Sequence, residues 1–294
     1  MLKYFDNRLV WVSWFVNSVK QNHNPAWYTG GKYAHARFSA GAIIMNIALI
    51  WNMIRRPKDT YTYLSQQGGH QWRFMAALAT VMVIVYVIVS IPITAGVLGG
   101  TLAAYLAVYF DQIEIINPEI LDRIVQFVAH PILTIAFVSM FAVIQLWIGW
   151  LILALALHLV STWLGGKHCL GQFWQVVVWS WLPFTVWWFL SSVFTLFTGE
   201  FIANPNLSRL FGTQPAFTDL MFVQPSAWQL ALNALLARIG LFQVWNLVLI
   251  AIGIMVAANL SNRRAVLVTL VVWGSFTLFY VLTSVATTLI FTRV

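Results

Sequence analysis

Long apolar runs alternate with short polar interruptions along most of this chain. Residues 74–97, 127–163, 173–198, 239–258 and 265–291 contain no Asp, Glu, Lys or Arg and are 24, 37, 26, 20 and 27 residues long. A helix needs about 20 apolar residues to cross the hydrocarbon of a bilayer. Strands of a membrane barrel would be about half as long and would alternate in polarity. The pattern therefore predicts an all-α polytopic membrane protein, a five-helix transmembrane bundle.

Two shorter apolar stretches do not fit so simply. Residues 38–54 span 17 positions, contain Asn46 and Asn52, and have arginines on both sides. They read as an additional N-terminal apolar segment, either interfacial or a sixth span. Residues 99–110 are too short to cross alone and are expected to form an interfacial or re-entrant helix. The expected organisation is a basic and aromatic N-terminal tail with this apolar segment over 1–55, then a five-span membrane domain over 56–294.

Composition fits the pattern. The chain of 294 residues is 61% hydrophobic and 8% charged, whereas soluble domains carry roughly 25% charged residues. Its net charge is +8. The basic residues scatter over the loops and the tail, where orientation and attraction to anionic lipid explain them. They do not gather on one face as a nucleic-acid site requires. Membrane lipid and other membrane proteins are the expected partners, and nucleic acid is not.

The same charges predict topology. Arg55, Arg56, Lys58, Arg73, Lys167, Arg263 and Arg264 fall on one side of the five runs, opposed by Asp59 alone. The other side holds six carboxylates against four arginines, Arg123, Arg209, Arg238 and Arg293. The first side should be cytoplasmic, with 199–238 and the C-terminus outside. The basic tail 1–37 prefers the cytoplasm too, which favours an interfacial 38–54, with Trp11, Trp14 and Trp27 resting on headgroups. No A-x-A-like cleavage site follows an early apolar core.

Candidate chemistry is sparse. All eight carboxylates lie outside the five runs, which argues against a proton-driven transporter or ion pump, where intramembrane acids carry the work. The polar residues inside the runs are Gln145, His158, Gln243 and Asn246, and they read first as interhelical hydrogen-bonding groups. His158 is also a candidate contact for a pigment or quinone, since neutral imidazole can ligate a metal.

The stretch TWLGGKHCLGQF, residues 162–173, holds Lys167, His168 and the single cysteine, Cys169. His158, His168 and Cys169 fall short of the four ligands that zinc prefers. Cys169 has neither an oriented base nor an oxyanion site beside it, and the full phosphate-loop pattern is absent. The stretch reads as a tight hairpin, in which Gly165 and Gly166 take positive φ and end a helix. Gln172 would start the next span, and Pro183 should bend that span near Trp179. The bend either shapes a cavity or fits a neighbour. Ring-rich flanks such as Trp187-Trp188 are expected near lipid, a partner or a cofactor.

An apolar helix followed by Leu164-Gly165-Gly166-Lys167, then Phe173, then Pro183 within the next helix, resembles the Yip family of Ypt/Rab-interacting integral membrane proteins. Arg56-Pro57 is similar to the family's basic-proline lead-in to its first span. LFQVWNLVLIAIG, with Phe242, Trp245 and Gly253, is similar to its fourth-helix pattern. The resemblance covers residues 53–291 and the five spans. The load of 16 tryptophans and the segment 38–54 depart from it. Eukaryotic members are expected to carry a long disordered cytoplasmic tail and to associate with Rab GTPases. A short aromatic tail instead places this chain nearer the prokaryotic branch, in a cytoplasmic membrane. The resemblance implies a fold but no reaction.

Two functions follow as expectations. One is a non-enzymatic scaffold or accessory subunit, supported by the lack of intramembrane charge and by the small-residue pair Gly96 and Gly100. The other is a transporter, channel or lipid-handling protein, supported by Pro183, Gln145, Gln243 and Asn246. No catalytic residue and no metal site is expected.

Overall fold

A computed structural model describes residues 47–66, 71–111, 123, 130–166, 169–200, 205–210 and 226–291. The chain divides into two compact units, Met1–Trp51 and Asn52–Val294, and nearly all described residues belong to the second. The tail, most of 38–54, Lys167, His168 and the loop 211–225 lie outside the described residues, although 47–54 are helical.

Among the described residues the second unit is helical wherever it is regular. In chain order its elements are α1 (Pro57–Gln66), α2 (Trp72–Asp111), α3 (Pro131–Trp163), α4 (Leu170–Ser180), α5 (Leu182–Thr198), α6 (Leu207–Leu210), α7 (Ala227–Ala237), α8 (Leu241–Ala257) and α9 (Asn262–Phe291). Four segments are long and apolar enough to cross a membrane: Trp72–Pro92, Ile132–Trp163, Leu170–Thr198 and Asn262–Ala286. The fifth expected span is α8, at 17 residues. With a rise of 1.5 Å per residue it reaches about 25 Å, near the lower limit for a crossing helix.

Three expected boundaries move. Residues 99–110 do not form a separate interfacial or re-entrant helix. They continue α2, which runs unbroken for 40 residues with Pro92 inside it. A proline removes one ladder bond without ending a helix when its surroundings re-satisfy the freed group. Within the run 127–163 a helix starts at Pro131, which takes the first helical position, where a missing N–H costs nothing. The next helix starts at Leu170 rather than Gln172.

The break expected from Pro183 falls at Trp181. Pro183 lacks the N–H that would bond the carbonyl of Trp179. The backbone of Trp181 has φ −76° and ψ 0°, which ends α4 and opens α5 with Pro183 in its first turn. Leu170–Thr198 is thus a single crossing made of two helices.

Helix α8 sits at the centre, packed by α1, α4, α5 and α9, while α2 packs on α3 and α5. Gly253 makes the central contact possible. A Cβ there would lie 2.5 Å from Val176 Cγ1 of α4 and 3.1 Å from Tyr61 Cζ of α1. The Tyr61 hydroxyl donates to the carbonyl of Val176 at 3.4 Å. The side-chain amide of Gln175 donates to the carbonyl of Leu64 at 3.4 Å. Short α1, which opens with Pro57 of the Arg56-Pro57 pair, is therefore tied to α4 at two positions about one turn apart.

Many of the described tryptophans pack against one another. Trp150 is fully buried, and its ring lies 5.5 Å from Trp147, 6.3 Å from Trp174 and 6.1 Å from Trp181. Trp72 meets Trp147 and Trp174. The Trp187-Trp188 pair joins the same packing. Trp188 lies 6.0 Å from Trp181 and Trp187 lies 5.2 Å from Phe242. Such edge-on and tilted ring pairs add about 0.5–1.5 kcal/mol each beyond burial, so much of the aromatic load is internal packing. Trp163 is the opposite case, 92% exposed at the end of α3.

Candidate functional site

The glycine hairpin closes α3 as a Schellman motif. The Gly165 N–H donates to the carbonyl of Thr162 at 3.1 Å, and the Gly166 N–H donates to that of Ser161 at 2.9 Å. These bonds satisfy two carbonyls that the helix end leaves open. Only Gly165 has positive φ, +90°. Gly166 does not, contrary to the expectation for both. It is required by close approach instead, since a Cβ there would sit 3.0 Å from the Ser161 carbonyl oxygen and 3.3 Å from Ala258 Cβ. Arg264 Nη1 donates to the Leu164 carbonyl at 3.4 Å, which puts a cation on the negative end of the α3 dipole.

Cys169 is exposed and opens α4 without a capping bond from its side chain. Among the described residues no group of three His, Cys, Asp or Glu lies together.

Phe173 is buried on α4, and its ring packs 5.3 Å from the imidazole of His158. His158 Nδ1 is buried without a hydrogen-bond partner. The carbonyl of His158 accepts the hydroxyls of Ser161 and Thr162 at 3.0 and 2.7 Å. The candidate pigment or quinone contact is thus a ring packed between two helices near the hairpin. It does not line the large cavity described next.

That cavity, about 510 Å³, lies among α3, the α4–α5 break, α8 and α9. It has the size of an ordinary small-molecule site, about 300–1,000 Å³. Gln145, Gln243 and Asn246 all line it, so three of the four polar residues singled out in the apolar runs converge there. Trp181 and Phe184 line it from the break. Pro183 therefore acts here by turning the chain at a cavity wall.

Asn246 fixes that wall. Its amide Nδ2 donates to the Ser180 carbonyl at 2.7 Å and to Ser180 Oγ at 3.3 Å. Ser180 Oγ donates in turn to the Val177 carbonyl at 2.7 Å. All of this is buried, so a broken helix meets its backbone needs inside the bundle, as membrane proteins require. Gln145, Gly149 and Ile152 on α3 are exposed, so the cavity opens along that helix.

Arg238 was legible only as a loop cation, yet it lines the same cavity with Tyr280. It follows α7, which begins with a reciprocal capping box between Ser226 and Gln229. The segment 205–207 crosses the α7–α8 junction, bridging Asn206 to Gly240, with the Leu207 N–H donating to the Ile239 carbonyl at 2.9 Å. A Cβ at Gly240 would lie 2.8 Å from the Pro205 carbonyl oxygen, so this crossing needs glycine. The Arg238 guanidinium lies over the Tyr280 ring, 5.4 Å from its centre, a cation–π arrangement. A sequence signal for Arg238 existed. It separates two apolar helices, and no Asp or Glu follows Asp219 in the chain.

No curated protein and no solved structure matches the chain. The helices long enough to span, their lack of internal charge and the glycine–proline geometry around α4 describe a multi-pass integral membrane protein. A family model, the Yip1 domain, matches residues 51–284, most of the chain, and the chain belongs to that family.

Proposed function

We propose that this protein is a non-enzymatic membrane scaffold or accessory subunit, working through contact with other membrane proteins and lipid. The observation that carries the reading is the outer flank of α3. Phe137, Phe141, Ile144, Ile148, Leu151, Leu155 and Leu159 are all exposed and follow one another at steps of three and four residues. They form one continuous apolar ridge along a 33-residue helix. A second helix could pack along such a ridge in the manner of a coiled-coil seam. Bilayer lipid competes for the same face.

A photo-crosslinking residue at Ile148, used in native membranes, separates the two occupants. The reading expects crosslinks to one protein in near-stoichiometric amount and a larger mass in mild detergent. Crosslinks to lipid alone, with a monodisperse monomer, would sink it. We place the membrane domain at 56–294 and keep 1–55 as a distinct tail, with the basic hairpin side in the cytoplasm and the C-terminus outside.

The cavity favours a second reading, a lipid-handling protein. Gln145, Gln243 and Asn246 gather at one site although packing alone would let them scatter. Movement of a labelled amphiphile between sealed vesicles, dependent on the protein, tests it.

A further inference from the structure

We propose that the cavity beside the α4–α5 break binds a single-chain amphiphile with an anionic head, its acid group on Arg238 and its hydrocarbon chain running along α3 and α8. The proposal deepens the lipid-handling reading by naming the ligand class.

Charge is the first argument. Arg238 lies at one end of the cavity, partly buried. Among the described residues no carboxylate pairs with it, no acceptor takes a side-chain N–H of its guanidinium, and Nε is buried without a partner. The Tyr280 ring covers one face of the group but accepts none of its five N–H donors. A desolvated cation without a counter-ion is costly, and a carboxylate or phosphate held in the guanidinium fork removes that cost.

Polarity along the cavity is the second argument. Helices α8 and α9 are joined by a tight turn at 258–261 and run antiparallel, so Gln243 and Tyr280 lie toward the Arg238 end. Leu157, Ile250 and Thr269 line the cavity farther from it. The stretch of α9 from Thr269 to Tyr280 measures about 16 Å at 1.5 Å per residue. A polar, basic end and a far end lined by Leu157 and Ile250 match one hydrocarbon chain with an acidic head. The exposed Gly149 and Ile152 leave a side entrance from the bilayer.

Native mass spectrometry and calorimetry of the purified chain in a non-ionic detergent test this. The probes are palmitate, a lysophosphatidic acid, the neutral monopalmitoylglycerol and inorganic phosphate. The expected result is one bound palmitate or lysophosphatidic acid per chain, with at least tenfold weaker binding of the neutral ester and none of phosphate. Arg238→Gln should lower affinity for the acids at least tenfold and leave the neutral ester unchanged, and Arg238→Lys should restore part of the loss. Gly149→Leu should block both acids and ester. A Cβ at Gly149 meets nothing within 4 Å, so its melting temperature in detergent should not fall below that of the unaltered chain. Equal binding of palmitate by Arg238→Gln and the unaltered chain overturns the proposal, as does the absence of one-to-one binding. Phosphate competing as well as lysophosphatidic acid overturns it too, by showing an anion site without a chain slot. If two-chain phosphatidic acid binds better than either single-chain acid, the one-chain assignment is wrong. Binding is read apart from movement between vesicles, so a chain that binds palmitate yet moves none keeps the site and loses the lipid-handling role.

Discussion

Asn246 Nδ2 donates to the carbonyl oxygen of Ser180 at 2.7 Å, so a side chain of α8 caps the helix that breaks before Pro183. Interhelical hydrogen bonds in membrane proteins average roughly 0.6 kcal/mol. This one also covers a buried backbone acceptor, whose exposure without a donor costs about 1–3 kcal/mol. Asn246→Leu is therefore expected to destabilise the protein by about 1–3 kcal/mol, measured by denaturant titration in detergent. Asn246→Asp, whose ionised carboxylate cannot donate, should be no better. Wild-type stability in both variants would show that the break is held by other contacts.

Gly253 is the point where α1, α4 and α8 meet. Gly253→Ala places a methyl 2.5 Å from Val176 Cγ1 and 3.0 Å from its Cγ2. Both valine methyls are involved, so rotation of that side chain offers no escape. Overpacking of this kind typically costs about 1–3 kcal/mol. Gly274→Ala on α9 meets nothing within 4 Å, and alanine should stabilise the helix by about 0.5–1 kcal/mol over glycine. Melting curves should move in opposite directions for the two variants, and parallel shifts would remove the close-approach account.

The spans were legible because bilayer hydrocarbon excludes charge, and five uncharged runs have few other uses. Their ends were less legible. Nothing in the composition of 99–110 says that Pro92 leaves α2 intact, because that depends on neighbours meeting the freed carbonyl. The hairpin was read correctly as a turn, but the two glycines serve different needs: positive φ at Gly165, and the approach of Ala258 at Gly166. That second need is tertiary and leaves no local mark. Tryptophans looked like surplus surface because sequence gives their number and not their partners. The polar residues Gln145, Gln243 and Asn246 could be picked out singly. Their meeting could not, since it depends on the break at Trp181 and on which face of α8 points inward. Arg238 was passed over because a charge count assigns it to a loop, although its place between two apolar helices marked it.

The hairpin gives an ordered series. Gly166→Val forces a branched side chain against the Ser161 carbonyl and Ala258, and should be the most damaging. Gly165→Ala keeps the space, since only Arg264 Nη1 lies as near as 4.0 Å, but places an L-residue at φ +90°, at a cost of about 1–2 kcal/mol. Arg264→Gln loses one exposed bond to the α3 end, about 0.3–1 kcal/mol. Thermal melting in detergent should rank the variants in that order. Equal tolerance of all three would deny the hairpin its backbone role.

Topology can be read from the one native thiol. Cys169 is exposed at the start of α4, on the side where Arg263 and Arg264 begin α9 and where Arg264 reaches the Leu164 carbonyl. Basic residues beside spans stay on the cytoplasmic side, because their transfer across the membrane during insertion is opposed. The far side carries Arg238 and Glu200. An impermeant maleimide should leave Cys169 unlabelled in intact cells and label it in inside-out vesicles. The control is Cys169→Ser carrying Ser226→Thr and a cysteine in place of Trp228, which is 73% exposed on α7; threonine keeps the hydroxyl that caps that helix. That cysteine should label from outside in intact cells. Labelling of Cys169 from outside, with the α7 cysteine protected, would reverse the orientation and move the Arg238 end of the cavity to the cytoplasmic half.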